Sequence, residues 1–171
     1  VNGATVTHFE IFGLTPSVDL DVPALEAKYR ELSLANHPDR VGAERRLEAV
    51  QKTAAINDAM KVLRDPVLRA VYLLKLNGVD LDRDDTRQTM PMDFLEKILE
   101  QREQLEIAKS QKNLPKARAL AAEVSHLCDS VLSAGQQALR RGDFAAASSA
   151  LAKVRYYTRF MEEVDAIEET P

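Results

Sequence analysis

The sequence predicts an all-α protein, an N-terminal helical hairpin followed by a C-terminal three-helix bundle. Three observations carry that expectation. Ala, Leu, Glu, Lys, Arg and Gln dominate the 171 residues, and all are good helix formers. Apolar residues recur at i, i+4 and i+7, the spacing of one helix face. The six Gly and seven Pro are few and fall mostly between the segments that carry this spacing. An apolar fraction of 45% with 29% charged residues is globular composition, which excludes collagen-like, low-complexity and disordered classes. Aromatics are 5% with no Trp, which argues against a β-sandwich.

The elements follow in order. Phe9, Ile11, Phe12 and Leu14 form a compact apolar cluster, a short helix or turn stopped by Gly13 and Pro16. Asp21 reads as an N-cap with Pro23 just inside the first turn, and Leu25, Tyr29 and Leu32 share a face of the helix that follows. That helix ends before Pro38, because a residue preceding Pro is pushed out of the α region. A second long helix runs from about Ala43 to Arg64, with Leu47, Val50 and Ala54 in one apolar row and Ile56, Met60 and Leu63 in a neighbouring one. Asp65-Pro66 interrupts it, and Leu68, Tyr72 and Leu76 continue a shorter helix to a C-cap at Asn77-Gly78.

Residues 78–91 are polar, carry four Asp and read as a linker. Two domains are expected, residues 1–77 and 92–171. In the second, Phe94, Leu95, Ile98, Leu99 and Leu105 mark a first helix. Asn113-Leu114-Pro115 starts a second, which runs through Val124 to Leu139. Asp143 caps a third, marked by Phe144, Leu151, Val154 and Met161. Short turns between long helices imply antiparallel neighbours.

The formal charge is −4, which argues against a nucleic-acid partner. Through Lys75 the chain carries 10 basic and 10 acidic residues, so the acidic surplus lies entirely in the second half. An acidic second half suits a partner with basic groups. A single cysteine, Cys128, precludes an intrachain disulfide. No apolar run approaches the roughly 20 residues of a membrane span. The N-terminus lacks a signal or transit pattern, so a cytoplasmic location without membrane contact is expected.

His37-Pro38-Asp39 sits in the break between two antiparallel helices. Pro38 fixes its own φ and extends His37, so an imidazole and a carboxylate are held in a defined shape. Read as three letters, the tripeptide is an ordinary Pro-Asp loop. Its context is more specific: a helix with Tyr29 before it, Arg40 after it, then a longer helix ending at Asp65-Pro66. This order resembles a J-domain, the module that activates the ATPase of DnaK-class chaperones, over about residues 7–76. Leu68 to Gly78, reading LRAVYLLKLNG, resembles a stretch of the HscB family of iron–sulfur co-chaperones. Asp93-Phe94-Leu95 and Arg102-Glu103-Gln104-Leu105 resemble the start of that family's C-terminal helical domain.

The resemblance implies two partners. His37, Pro38 and Asp39 would engage a DnaK-class chaperone, HscA, with Lys28, Tyr29, Arg30 and Arg40 on or beside the same surface. Glu26 and Glu31 interrupt the basic helix usual there, which implies weaker electrostatic steering. Leu95, Leu99, Glu100, Arg102, Glu103 and Tyr156 would bind the iron–sulfur scaffold IscU as client, with Glu96 where the family usually has Met. Periodicity alone reads Leu95 and Leu99 as bundle core, whereas the resemblance turns them to the client. A J-protein for another client and a structural helical adaptor are the competing readings.

No enzyme is expected. His126 and Cys128 point to different sides of a helix and make no metal pair. One Cys cannot hold an iron–sulfur cluster, and no phosphate-binding GxxxxGK[ST] loop is present. The carboxylates read as solvated helix faces, and Cys128 reads as a small buried apolar residue. The sequence thus calls for no metal and no cofactor.

Overall fold

The computed structural model describes residues 6–83 and 90–168. All regular structure among them is helical, as expected: α1 (His8–Ile11), α2 (Val22–Ala35), α3 (Arg46–Arg64), α4 (Pro66–Leu76), α5 (Met92–Ser110), α6 (Leu114–Arg140) and α7 (Phe144–Glu168). Two compact units divide the chain, Val1–Leu73 and Leu74–Pro171. Of the segment read as a linker, residues 84–89 lie outside the described residues, as do 1–5 and 169–171 of the two expected domains.

Local chemistry explains where the helices of the first unit begin and end. Asp21 accepts from the Ala24 amide at 3.0 Å and Pro23 occupies the first turn, so α2 starts as the cap predicts. Asp65 lies in extended backbone after α3 and accepts from the Val67 and Leu68 amides, so one residue stops one helix and caps the next. Gly13 takes φ +67°, a left-handed turn that ends the first apolar cluster at the cost only a glycine avoids. Residues 43–45, expected as the first turn of α3, instead form a 3₁₀ turn that delays the α-helix to Arg46.

The core of this unit is formed by Phe9, Phe12, Leu25, Ile56, Ala59, Leu63 and Ala70, each nearly or fully buried. Burying a side chain the size of Phe9 or Leu63 contributes about 1.5–3 kcal/mol. Only one of the two apolar rows of α3 joins this core. Ala49, Ile56, Met60 and Leu63 face inward, whereas Leu47, Val50 and Ala54 lie on the opposite, exposed side. Arg69 is a buried cation whose Nε donates to the Val18 carbonyl at 2.9 Å and whose Nη1 donates to Leu63 O. It ties the loop before α2 to the end of α3. Burial lowers its pKa, opposed by Asp19 and Asp65.

His8 stacks on Tyr72 with ring centroids 4.4 Å apart, and its backbone N–H donates to the Tyr72 hydroxyl at 3.0 Å. Burial lowers the His8 pKa, with Asp58 opposing in part. A histidine held neutral in the folded state favours folding fully above its unfolded pKa of about 6.5 and progressively less as pH falls through the lower folded value. Thermal melts are therefore expected to show a downward slope in stability below about pH 6.5. His8→Gln should flatten that slope, and an equal slope in both proteins would assign it to other groups.

In the second unit, α6 and α7 form the most closely packed pair. Gly135 of α6 lies so near α7 that a Cβ there would sit 3.2 Å from Ala150 Cβ, so a glycine permits this approach. Gly142 at φ +72° and the cap from Asp143 to the Ala146 amide at 3.0 Å turn the chain between them. Asn113 caps α6 through the Lys116 amide at 3.1 Å. Helix α5 lies against this pair: Phe94 meets Tyr156 and Tyr157 edge-on, and Arg102 meets Glu163 at 2.8 Å. Those contacts ascend both helices together, so α5 and α7 run parallel, with α6 antiparallel to both. Cys128 is buried as expected, and burial raises its thiol pKa.

The start of the expected linker is held in this unit. Gly78 at φ +83° closes α4, with Val79 N–H donating to Leu74 O at 3.0 Å. Arg155 of α7 then donates to Leu81 O at 3.1 Å and to Asp82 at 2.6 Å.

Gln101 is an apparent misfit. It lies on the inward row of α5 with Phe94, Ile98, Leu105 and Ala108, and neither amide atom of its side chain has a partner among the described residues. An unpaired buried amide costs about 1–3 kcal/mol. Gln101→Leu is expected to stabilise the protein by about that amount, read as a higher melting temperature. An unchanged or lower melting temperature would show that the amide is satisfied.

Candidate partner-binding sites

Asn36 ends α2 and its side-chain amide donates to Leu32 O at 2.8 Å. The Thr53 hydroxyl of α3 donates to Asn36 O at 3.1 Å. The loop therefore leaves α2 already fastened to α3. His37 is extended at φ −67° and ψ 129°, and Pro38–Arg40 form a 3₁₀ turn closed by Arg40 N–H to His37 O at 2.9 Å. His37 Nδ1 accepts the Asp39 amide at 3.3 Å, which places the proton of a neutral imidazole on Nε2, pointing away from the turn. Asp39 Oδ2 lies 3.8 Å from the same Nδ1, and the Asp39 side chain is 82% exposed. The tripeptide is thus a rigid turn that presents its imidazole and carboxylate to solvent. Neither group packs in the core.

The flanking residues divide. Tyr29 donates to Asn57 Oδ1 at 2.9 Å and helps fasten α2 to α3. Lys28 is paired with Glu31 at 3.0 Å and Glu26 with Arg64 at 3.4 Å, so the acidic residues of α2 neutralise one cation of α2 and one at the end of α3. Arg30 and Arg40 are exposed and make no ion pair among the described residues. Asn36 and Thr53 were not singled out from sequence, because a Thr inside a helix and an Asn at its end carry no signal that they meet.

In the second unit, Leu99 is 67% exposed and Leu95 half-buried on α5. Glu100 and Glu103 are exposed beside them. Arg102 is exposed but engaged by Glu163, which makes it a strut between α5 and α7. Tyr156 is exposed on α7, its ring centroid 5.8 Å from Phe94, while Lys153 lies over the Phe94 ring at 5.4 Å. Met92, overlooked in the sequence, is also exposed and lies seven residues before Leu99 on the same side of α5. Among the described residues, no three His, Cys, Asp or Glu are grouped to hold a metal ion, and no helix is long and apolar enough to cross a membrane.

A helical hairpin that offers a rigid His-Pro-Asp turn defines the first unit as a J-domain, and residues 7–72 match the DnaJ domain family. Residues 90–165 match the family described as the HSCB C-terminal oligomerisation domain. The chain is 36% identical over 168 residues to the co-chaperone protein HscB homolog of Vibrio vulnificus strain YJ016, covering 96% of this chain and 98% of that one. It is also 36% identical over 165 residues to that of Haemophilus influenzae, covering 94% of each. The chaperone HscB from Vibrio cholerae superposes with a TM-score of 0.79 at 30% identity, covering 95% of this chain and 98% of that one. Human co-chaperone HscB gives 0.87 at 25% identity, covering 98% and 85%. The chain belongs to the HscB family of co-chaperones.

Proposed function

We propose that this protein stimulates ATP hydrolysis by a DnaK-class chaperone, HscA, and delivers to it the iron–sulfur scaffold protein IscU, aiding cluster maturation and transfer in the cytoplasm. The observation that carries the reading is the rigid, solvent-facing His37-Pro38-Asp39 turn in a chain of the HscB family. The chaperone-binding set is His37, Pro38, Asp39 and Arg40, with Lys28, Tyr29 and Arg30 beside them. The client-binding set is Leu95, Leu99, Glu100, Arg102, Glu103 and Tyr156. Residues 1–77 act as the J-domain, 78–91 as the linker and 92–171 as the client-binding domain.

The protein is a binding module and supplies no catalytic residue. It acts by population shift: it binds the ATP state of its partner more tightly in the conformation that hydrolyses and traps client. Only differential affinity between those conformations does work, so rigidity of the turn matters. The client face supplies exposed apolar side chains with charged neighbours, the pattern of a desolvated interface centre with a polar rim. Steady-state ATPase of HscA, with and without this protein and with and without IscU, tests the reading. A rate unaffected by this protein would overturn it.

A further inference from the structure

We propose that Met92, at the start of α5, is a peroxide-sensitive switch on the client face: oxidation of its thioether to the sulfoxide weakens scaffold binding, and reduction restores it. The inference rests on the client reading of α5 and adds its regulation. Met92 is 70% and Leu99 67% exposed. Seven residues apart, they stand on the side of α5 opposite the buried row of Phe94, Ile98 and Leu105. Glu96, Glu100 and Glu103 are exposed beside them. Met92 and Leu99 thus form the apolar centre of a strip bordered by carboxylates.

Burial makes the oxidation selective. The chain has four methionines and one cysteine. Met60 is buried and Met90 and Met161 are half-buried, which leaves Met92 as the exposed thioether. Cys128 is buried, and burial first, then Asp129, raises its thiol pKa, so little of it is the reactive thiolate. A thioether needs no such ionisation. A lone pair of Met92 Sδ attacks one oxygen of hydrogen peroxide, and the S–O bond forms as the O–O bond breaks. The departing hydroxide takes the proton of the transferred oxygen and leaves as water. The sulfur is oxidised and the peroxide reduced.

The product changes what the strip can bind. A thioether is apolar and adaptable, whereas the sulfoxide is polar and chiral. In free solution the sulfoxide oxygen of an exposed side chain is hydrated, so the fold has nothing to lose. At a desolvated interface centre that oxygen gives up its water, and a buried polar group without a hydrogen bond costs affinity. The carboxylates of Glu96, Glu100 and Glu103 are acceptors and offer it no proton. Arg102 is engaged by Glu163. Sulfoxide reductases return the thioether, which makes the change reversible. An oxidant at the site of cluster assembly thereby lowers scaffold delivery, while the His-Pro-Asp turn, which contains no sulfur, stays competent.

The test titrates full-length wild type and Met92→Leu with IscU by calorimetry, before treatment with hydrogen peroxide and after its removal. Peptide mass spectrometry locates the added oxygen. Each protein is its own reference, and the change in its dissociation constant on treatment is what is read. Wild type is expected to weaken about tenfold, and methionine sulfoxide reductase to restore it. Treatment should leave the affinity of Met92→Leu where it began. Met92 should carry oxygen ahead of Met60, Met90 and Met161, with no fall in melting temperature. Oxidised Met92 with undiminished scaffold binding overturns the switch and leaves the client reading standing. An equal fall in Met92→Leu does the same, since it assigns the effect to another methionine, as does oxygen on the others while Met92 stays unmodified. Untreated wild type that fails to bind IscU overturns the client reading and the switch with it.

Discussion

Replacing Asp39 by Ala is expected to reduce stimulation of the chaperone's ATPase to its basal rate while the protein stays folded. The Asp39 side chain is 82% exposed and supports nothing in the core. Its backbone amide, which donates to His37 Nδ1, survives the substitution, as does the Arg40 to His37 bond that closes the turn. Surface substitutions of this kind usually change stability by no more than about 0.5 kcal/mol. The carboxylate, by contrast, is a charged group fixed on a rigid turn, and a charge-assisted contact it makes with a partner has no substitute nearby. His37→Gln should behave likewise, because it removes the imidazole Nε2 edge that the turn presents. Circular dichroism melts paired with steady-state ATPase separate loss of contact from loss of fold. An Asp39→Ala protein that stimulates to wild-type extent would end the chaperone assignment.

The parts of this molecule legible in the sequence are those decided within a few residues. Asp21, Asn113 and Asp143 cap the helices they precede because a short polar side chain reaches an amide three residues on. Asp65-Pro66 divides α3 from α4 for equally local reasons. The His-Pro-Asp turn is legible because its shape is set by Pro38 and closed within four residues. What the sequence conceals are choices between faces and between distant partners. Helix α3 carries two apolar rows at the same spacing, and periodicity cannot say which one turns inward; packing against α1 and α2 selects the row of Ile56 and leaves Leu47 outside. Thr53 with Asn36, Arg69 with Val18, Arg155 with Asp82 and Arg102 with Glu163 are pairs made by the fold, separated by 17 to 73 residues. Leu95 and Leu99 posed the same problem of facing, since apolar spacing on α5 serves a core or an interface equally.

That problem sets the second large effect. Leu99→Ala is expected to weaken scaffold binding by about thirty-fold, the consequence of truncating an interface anchor worth about 2 kcal/mol. Its melting temperature should match wild type, because a side chain 67% exposed has little burial to lose on folding. Leu95 is half-buried one residue after Phe94, whose ring meets Tyr156 and Tyr157. Leu95→Ala should therefore lower both affinity and melting temperature. The double variant should lose at least about thirty-fold in affinity, with effects that need not add. Stimulation of the chaperone without scaffold should be nearly unchanged in all three, because the His-Pro-Asp turn lies in the other unit. Calorimetric titration with IscU, set beside thermal melts of each variant, distinguishes the two duties residue by residue. Normal scaffold binding by Leu99→Ala would remove the client face from α5. An early melt with intact binding in Leu95→Ala would confine that leucine to the bundle.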